Sequence, residues 1–167
     1  MHTGDVKERN LTGTEFGLDF RIINEAFTGL KNKYSYKQVV QSIASSAAGM
    51  PKYGGLARLY FEELNPELSL REGQGEGSIR VEYHLFEENT FCTGAAFVPK
   101  GGTEEDDGWI ITFVHNEDTN ISKALIVDAK NINAEPVAQI TLPYRVPYGF
   151  HGPFSSRCNL DSILFRS

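Results

Sequence analysis

The chain has 167 residues, of which 40% are hydrophobic and 23% charged, and its formal net charge is −6. This length suits one compact domain of roughly 100–200 residues, and the acidic balance argues against a nucleic-acid-binding surface. The two cysteines form no CxxC pair, so we expect neither a disulfide framework nor a cysteine zinc site. Because the chain has no apolar run near the ~20 residues of a membrane span and no leader pattern at its start, we expect an intracellular protein.

The first predicted elements in chain order are one weak helical candidate and two strands. Residues 37–48 are the best helical candidate, but they lack a strong apolar stripe, and their β-branched residues fit a strand equally well. We interpret this segment as irregular or weakly helical. Residues 56–61 follow two glycines and predict a short, largely buried strand. Residues 78–86 alternate with a period of two, which is typical of a half-buried strand.

Three further apolar segments follow at regular spacing, at residues 109–114, 124–127 and 137–142. The first is apolar on both faces, as expected for a strand enclosed in a sheet assembly. The polar loop between the first two, residues 115–120, has the Asn- and Asp-rich composition of a hairpin turn. Short strands at regular spacing predict an all-β sandwich, barrel or propeller, and composition does not choose among these.

Two segments rich in Gly and acidic residues, 64–77 and 99–108, are interpreted as linkers. The second contains an acidic run of four consecutive carboxylates, residues 104–107, which predicts a solvated turn. Other chemistry finds little support, because the chain has no GxSxG motif and its Gly-rich stretch lacks the Lys-Ser/Thr of a phosphate-binding loop. We expect Cys92 and Cys158 to be free, buried thiols.

Four histidines are the candidates for metal chemistry, and none lies in a local pattern such as HxH or HExxH. His2 lies near the N-terminus. His84 is expected to be a solvated or hydrogen-bonded side chain, and His115 to form a hydrogen bond at the end of its strand. His151 differs because a proline and two glycines surround it in RVPYGFHG, residues 145–152, and constrain its backbone. On the residues alone, a structural role for His151 remains the alternative.

A set of short segments occurs in a fixed order along the chain. These are DF (19–20), IN (23–24), TG (28–29), YSY (34–36), EEDDGWIITFVHNE (104–117), LIVDAK (125–130), EPVA (135–138), LP (142–143) and RVPYGFHG (145–152). Together they resemble plant carotenoid cleavage dioxygenases, and the nearest branch looks like the cytosolic-type and zaxinone-synthase-like enzymes. The likeness covers about residues 7–154. We therefore divide the chain into a family portion, 1–154, and a divergent tail, 155–167.

The resemblance implies an all-β fold that is the C-terminal part, roughly the last two blades, of a seven-bladed β-propeller. It implies a non-haem Fe(II) dioxygenase that uses O₂ to split one double bond of a carotenoid or apocarotenoid into two carbonyl products. The family holds Fe(II) with four histidines, and only the last of them, His151, falls in this chain. The isolated chain is therefore expected to be inactive and to need the N-terminal part of the propeller as its partner. We expect the protein to lie in the cytoplasm or the chloroplast stroma. Any peripheral membrane contact would come only from segments outside this chain.

The resemblance also assigns carboxylates that orient the ligand histidines, since such partners fix the tautomer and tilt of an imidazole. One of them matches Asp19. A second should precede a strand that begins near Ala95, and at that position this chain has Gly94. His84 and His115 do not fall on family ligand positions. The alternative to a fragment of a dioxygenase is a non-catalytic β-rich interaction domain or an inactive truncated gene product.

Overall fold

The computed structural model describes residues 10–13, 15–45, 51–64 and 79–149. Within these residues the chain forms eight strands, all paired antiparallel, and one short 3₁₀ helix, Glu25–Phe27. The strands are β1 (Gly17–Ile22), β2 (Tyr34–Ser45), β3 (Pro51–Leu64), β4 (Ile79–Leu85), β5 (Thr90–Pro99), β6 (Gly108–Asn116), β7 (Ile121–Asp128) and β8 (Ala138–Thr141). The expected all-β fold is confirmed.

The strands divide into two successive antiparallel meanders of four. We call β1 to β4 the first sheet and β5 to β8 the second sheet. The two sheets are joined where Tyr53 of β3 pairs with Cys92 of β5. Strands β1 and β5 also contact each other, and we call these two the inner strands. Strands β4 and β8 end the two meanders at their outer edges.

The main hydrophobic core lies between the two sheets and takes side chains from both. Its largest fully buried members include Tyr36 and Leu56 of the first sheet and Ile110 of the second. A second cluster, built around Val39 and Leu59, covers the opposite face of the first sheet. Burying one large aliphatic side chain contributes about 1.5–3 kcal/mol to the free energy of folding. The main core is therefore the principal contribution to the packing of one sheet against the other.

The weakly helical interpretation of residues 37–48 is wrong for the part that the structure describes. Residues 37–45 belong to β2, which pairs with β1 on one side and β3 on the other; residues 46–48 lie outside the described residues. Val39 is buried on one face of β2 and Tyr36 on the other. Pairing on both sides satisfies the backbone as far as Val40, and that tertiary context outweighs the weak local pattern of the segment.

The strands predicted from apolar or alternating segments are present as β3, β4, β6, β7 and β8. Strand β8 is exposed along most of its length because it is an edge of the second sheet. The expected hairpin turn between β6 and β7 is confirmed, and Asn120 takes the left-handed backbone (φ 56°) that asparagine tolerates. Of the predicted linker 64–77, Leu64 ends β3 and the remainder lies outside the described residues.

The acidic run forms a turn in which Glu104 is exposed, as expected, but the expected solvation is wrong for Glu105. Glu105 is buried, and its carboxylate accepts hydrogen bonds from the backbone N–H groups of Lys33 (2.9 Å) and Tyr34 (3.1 Å). The Asn24 side chain donates to the backbone carbonyl of Glu105 at 3.2 Å. The turn between β5 and β6 therefore fastens the second sheet to the loop that precedes β2 in the first sheet.

Arg58 forms a second connection between the sheets from the middle of β3. Its Nη2 pairs with Asp106 Oδ2 at 2.7 Å, and its Nη1 donates to the Lys130 carbonyl at 2.5 Å. The guanidinium also lies over the rings of Tyr34 and Tyr60, at 4.3 and 4.5 Å from their centroids. Both members of the ion pair are buried or nearly so. Removal of one partner would leave an uncompensated charge in a poorly solvated place.

Candidate functional site at the inner strands

Asp19 lies on the inner strand β1, where the pairing with β2 is irregular. The register shifts between Asp19 and Ile22, and the intervening Phe20 has a left-handed backbone with φ of 48°. Asp19 Oδ1 accepts a hydrogen bond from the Phe20 N–H at 2.8 Å, and the residue is exposed. A bulge of this kind redirects side chains away from the regular alternation of a strand. The carboxylate is thus held by its own bulge at the edge of the first sheet.

Tyr53 lies beside Asp19 and beneath the bulge. Burial raises the pKa of the Tyr53 phenol, and the charge of the Asp19 carboxylate raises that pKa further. The Phe20 ring meets the Tyr53 ring edge to face at 5.5 Å. Tyr53 Oη is buried and faces the Asp19 carboxylate, which raises its pKa as a hydrogen-bond acceptor as well as by its charge. The neutral Tyr53 side chain therefore packs against the bulge through the Phe20 ring.

Gly94 occupies a similar place on the inner strand β5. We expected this position to precede a strand that begins near Ala95. Gly94 instead lies inside β5, at a shift in the pairing between Thr93 and Ala95. Its backbone is left-handed, with φ of 62°, and its carbonyl accepts a hydrogen bond from Thr112 Oγ1 at 2.7 Å. Glycine adopts this conformation without the strain that a side chain would add. The two inner strands thus share an irregularity, with a carboxylate at one and no side chain at the other.

His151 lies outside the described residues, but the chain that leads to it is described as far as Gly149. After β8 the chain leaves the outer edge of the second sheet and returns to the inner strand β5. There the Gly149 N–H donates to Thr93 Oγ1 at 2.6 Å, next to the Gly94 bulge. The described chain therefore ends at an inner strand, two residues before His151. No motif in the sequence singled out Thr93, because the contact joins residues far apart in the chain.

The other histidines and Cys92 have structural surroundings. His115 is buried and its Nδ1 lies 3.0 Å from Ser122 Oγ, which confirms the expected hydrogen bond at a strand end. His84 is partly buried on β4, and burial lowers its pKa while backbone hydrogen bonds at Ile132 and Ala134 oppose that shift. Cys92 is a free, buried thiol, as expected, and burial raises its pKa to about 12. Cys158 lies outside the described residues.

A cleft of about 310 Å³ lies toward the outer strands and is lined mainly by residues of β4, β6, β7 and β8. Its lining includes Lys123 and Glu135 as well as Phe86, so it is not a predominantly aromatic pocket. Over residues 10–13, 15–45, 51–64 and 79–149, no group of three or more His, Cys, Asp or Glu side chains is placed to hold a metal. The described part of the chain therefore cannot form the implied iron centre by itself. No helix in this part is long and apolar enough to cross a membrane.

Solved oxygenase structures match the fold of this chain. Cobalt-substituted Synechocystis ACO, an apocarotenoid oxygenase, matches with a TM-score of 0.62 and 23% identity, over 83% of this chain and 25% of that chain. A chimera of ACO and RPE65 matches with a TM-score of 0.63 and 20% identity, over 87% of this chain and 26% of that chain. The fold is therefore that of a part of a β-propeller enzyme, as the sequence predicted.

Sequence comparison gives the family. The protein-family model for the retinal pigment epithelial membrane protein (RPE65) family matches residues 1–156. Carotenoid 9,10(9′,10′)-cleavage dioxygenase 1 of Arabidopsis thaliana is 40% identical over 92% of this chain and 27% of its own length. The chloroplastic 9-cis-epoxycarotenoid dioxygenase NCED1 of rice is 35% identical over 97% of this chain and 23% of its own length. The chain belongs to the RPE65 and carotenoid cleavage dioxygenase family, and it spans about a quarter of the length of these relatives.

Proposed function

We propose that the chain is the C-terminal portion of a non-haem Fe(II) dioxygenase. The complete enzyme would cleave one polyene double bond of a carotenoid or apocarotenoid with O₂, and each new carbonyl group would receive one oxygen atom. His151 is the one iron ligand that this chain contributes, and three further histidines come from chain outside it. Because one imidazole by itself holds Fe(II) weakly, we expect the isolated chain neither to retain iron nor to turn over substrate.

The observation that carries this proposal is the return of the chain to the inner strand β5. Gly149 is hydrogen-bonded to Thr93, so the residues that follow begin beside the edge where the two inner strands meet. A histidine two residues further on is within reach of that edge, because two extended residues span at most about 7 Å. His84 on β4 and His115 toward the end of β6 have partners of their own.

Asp19 fits the role of a positioning residue for an imidazole from outside this chain. A carboxylate has roughly four lone-pair sites, and the hydrogen bond from the Phe20 N–H uses one of them. The remaining sites can accept the N–H of a ligand histidine, which fixes the ring and makes its other nitrogen a better donor to the metal. Bound Fe(II) would supply the redox chemistry that O₂ requires to react with a double bond.

The test is a fusion in which this whole chain replaces the matching part of the Arabidopsis relative; we call it the completed propeller. Elemental analysis should find iron in it, and a carotenoid should yield carbonyl products. His151→Ala should lose both the iron and the products. His84→Ala is the matched control, because His84 lies on the outer strand β4, and it should keep its iron. Equal iron content in the His151→Ala protein and its parent would contradict the proposal.

A non-catalytic β-rich domain is the second candidate, and Gly94 favours it. The resemblance places a carboxylate where this chain has a glycine with a left-handed backbone, so one ligand histidine would lack its orienting partner. A completed propeller that folds but binds no iron would support this candidate. The coding sequence upstream of Met1 gives an independent test, since an open frame with three further histidines in family context would support the enzyme instead.

We also propose where the family portion of the chain ends and in which compartment the protein lies. The division into a family portion, 1–154, and a divergent tail, 155–167, concerns a boundary that lies outside the described residues. The compartment, cytoplasm or chloroplast stroma, is proposed only from the family, in which the rice relative is named as chloroplastic. Fusing the intact gene product to a fluorescent protein would decide the compartment.

A further inference from the structure

The segment that returns from β8 to β5, residues 143–149, is held by side chains and not by a strand ladder. The Leu142 N–H still donates to the Ser122 carbonyl at 2.9 Å, as in a continuing sheet. Pro143 and Pro147 then lack an N–H, so a regular ladder cannot continue through them. Three side chains next to this segment accept hydrogen bonds from it instead, two from backbone N–H groups and one from the Tyr148 hydroxyl. We call these three side chains the latch.

The first member of the latch is Ser122 on β7. Its Oγ accepts a hydrogen bond from the Val146 N–H at 3.0 Å and lies 3.0 Å from His115 Nδ1. Ser122 and His115 are both about 2% exposed. Burial and the nearby charge of Arg145 lower the pKa of His115, so the imidazole is neutral near neutral pH. The Ser122 hydroxyl has two lone pairs and one proton, so with either neutral tautomer of His115 it can accept the Val146 N–H: it donates its proton to Nδ1 or accepts the Nδ1–H as well.

The second member is Glu117, just after β6. Its Oε1 accepts the Tyr148 hydroxyl hydrogen bond at 2.8 Å, and the carboxylate pairs with Lys52 Nζ at 2.7 Å. Hydrogen bonding from Lys52 lowers the pKa of Glu117, which keeps it an acceptor. The Tyr148 ring also meets the His115 ring edge to face at 6.2 Å. Because Lys52 belongs to β3, this contact ties the returning segment to the first sheet as well.

The third member is Thr93 on β5, whose Oγ1 accepts the Gly149 N–H. Thr93 is 9% exposed and precedes the Gly94 bulge. A Cβ at position 149 would lie only 3.3 Å from Thr93 Oγ1, so glycine permits the close approach. The three contacts fall at residues 146, 148 and 149. Successive contacts at such short intervals leave the end of the segment little freedom to rotate or shift.

We propose that Thr93, Ser122 and Glu117 are positioning residues that set the path of the chain into His151. This inference rests on the proposed function, since it concerns how that histidine reaches the metal. Metal ligands must be held to within about half an ångström of their productive geometry by the residues around them. The latch supplies that restraint from hydroxyl and carboxylate groups that make no contact with the metal.

The first test is hydrogen exchange, which needs no iron. In the full 167-residue chain and in the completed propeller, Thr93→Val and Ser122→Ala each remove one acceptor. The peptide of residues 142–149 should then exchange roughly 3–10-fold faster, the scale of one lost hydrogen bond. Thr90→Val is the matched control, because Thr90 lies on the same strand, is equally buried and bonds Asn116 instead. Unchanged exchange in both latch variants would overturn the proposal.

The second test is iron retention by the completed propeller. Thr93→Val and Ser122→Ala should retain iron about 10-fold less well, the lower end for residues that act through a ligand. Thr93→Ser keeps the hydroxyl and should restore the iron, and a purely packing role would not predict that rescue. Faster exchange with unchanged iron, while His151→Ala loses iron, would overturn the positioning role and leave the proposed function standing. Iron that survives His151→Ala would overturn both.

Discussion

The first and second sheets each have a backbone irregularity in the inner strand, but the two irregularities carry different residues. In the first sheet the irregularity in β1 presents the Asp19 carboxylate, which is held by the Phe20 N–H. In the second sheet the irregularity in β5 presents Gly94, which offers no side chain. Both irregularities include a residue with a left-handed backbone. The comparison teaches that the two inner strands share a backbone irregularity although only the first sheet presents a carboxylate there.

The sheets also differ in how their outer faces are covered. The first sheet buries one face against the second sheet and carries a separate cluster around Val39 on the other. In the second sheet, Phe113 and Ile140 are 39% and 53% exposed on the face that points away from the first sheet. The returning segment covers only the end of that face near His115. The first sheet is therefore the better-packed of the two in the described residues.

The largest effect should come from breaking the ion pair that connects the sheets. Arg58→Met in the completed propeller should lower the free energy of unfolding by about 3–5 kcal/mol, because it leaves Asp106 partly buried without its partner. Urea unfolding measures this change. Arg80→Met, on the neighbouring strand β4, is the control, since Arg80 is 46% exposed and its pair with Glu82 should contribute less than about 1 kcal/mol. The double variant Arg58→Met and Asp106→Leu should recover much of the loss, and its failure to do so would contradict this account.

The next effect concerns the carboxylate of the first sheet. Asp19→Asn keeps the shape and the bond from the Phe20 N–H but removes the charge that would orient a ligand imidazole. Iron retention or the rate of polyene cleavage should fall about 10–100-fold. Asp118→Asn is the control, because Asp118 is exposed and its carboxylate accepts a hydrogen bond from Asn89 in the turn between β6 and β7 of the second sheet. If Asp19→Asn changed neither iron content nor rate, Asp19 would be only a turn residue.

The smallest effect should come from adding a carboxylate to the second sheet. Gly94→Glu and Gly94→Gln should each cost about 1 kcal/mol of stability, because a side chain is strained at φ of 62°. Only Gly94→Glu should also raise iron retention, since it restores a charged partner for a ligand histidine. Thermal unfolding and elemental analysis measure the two effects separately. Equal iron content in the two variants would show that the missing carboxylate has no consequence.

Much of the architecture could be predicted from the amino-acid sequence, because its signals are local. The alternation in β4 and the apolar runs in β6 and β7 predicted strands that the structure contains. The expected hydrogen bond of His115 formed with a residue only seven positions away. The family segments likewise predicted a part of a β-propeller, and the comparisons confirm it.

Only the tertiary structure decided the features that depend on residues far apart in the chain. Glu105 is buried because the backbone of residues 33 and 34, more than seventy positions earlier, donates to it, whereas the acidic run alone predicted solvation. Residues 37–40 form a strand because β1 and β3 pair with them on both sides, and residues 41–45 continue that strand against β3. Thr93 meets Gly149 across 56 positions. Hydrogen bonds between such distant groups leave no periodicity in the sequence, so folding alone brings them together.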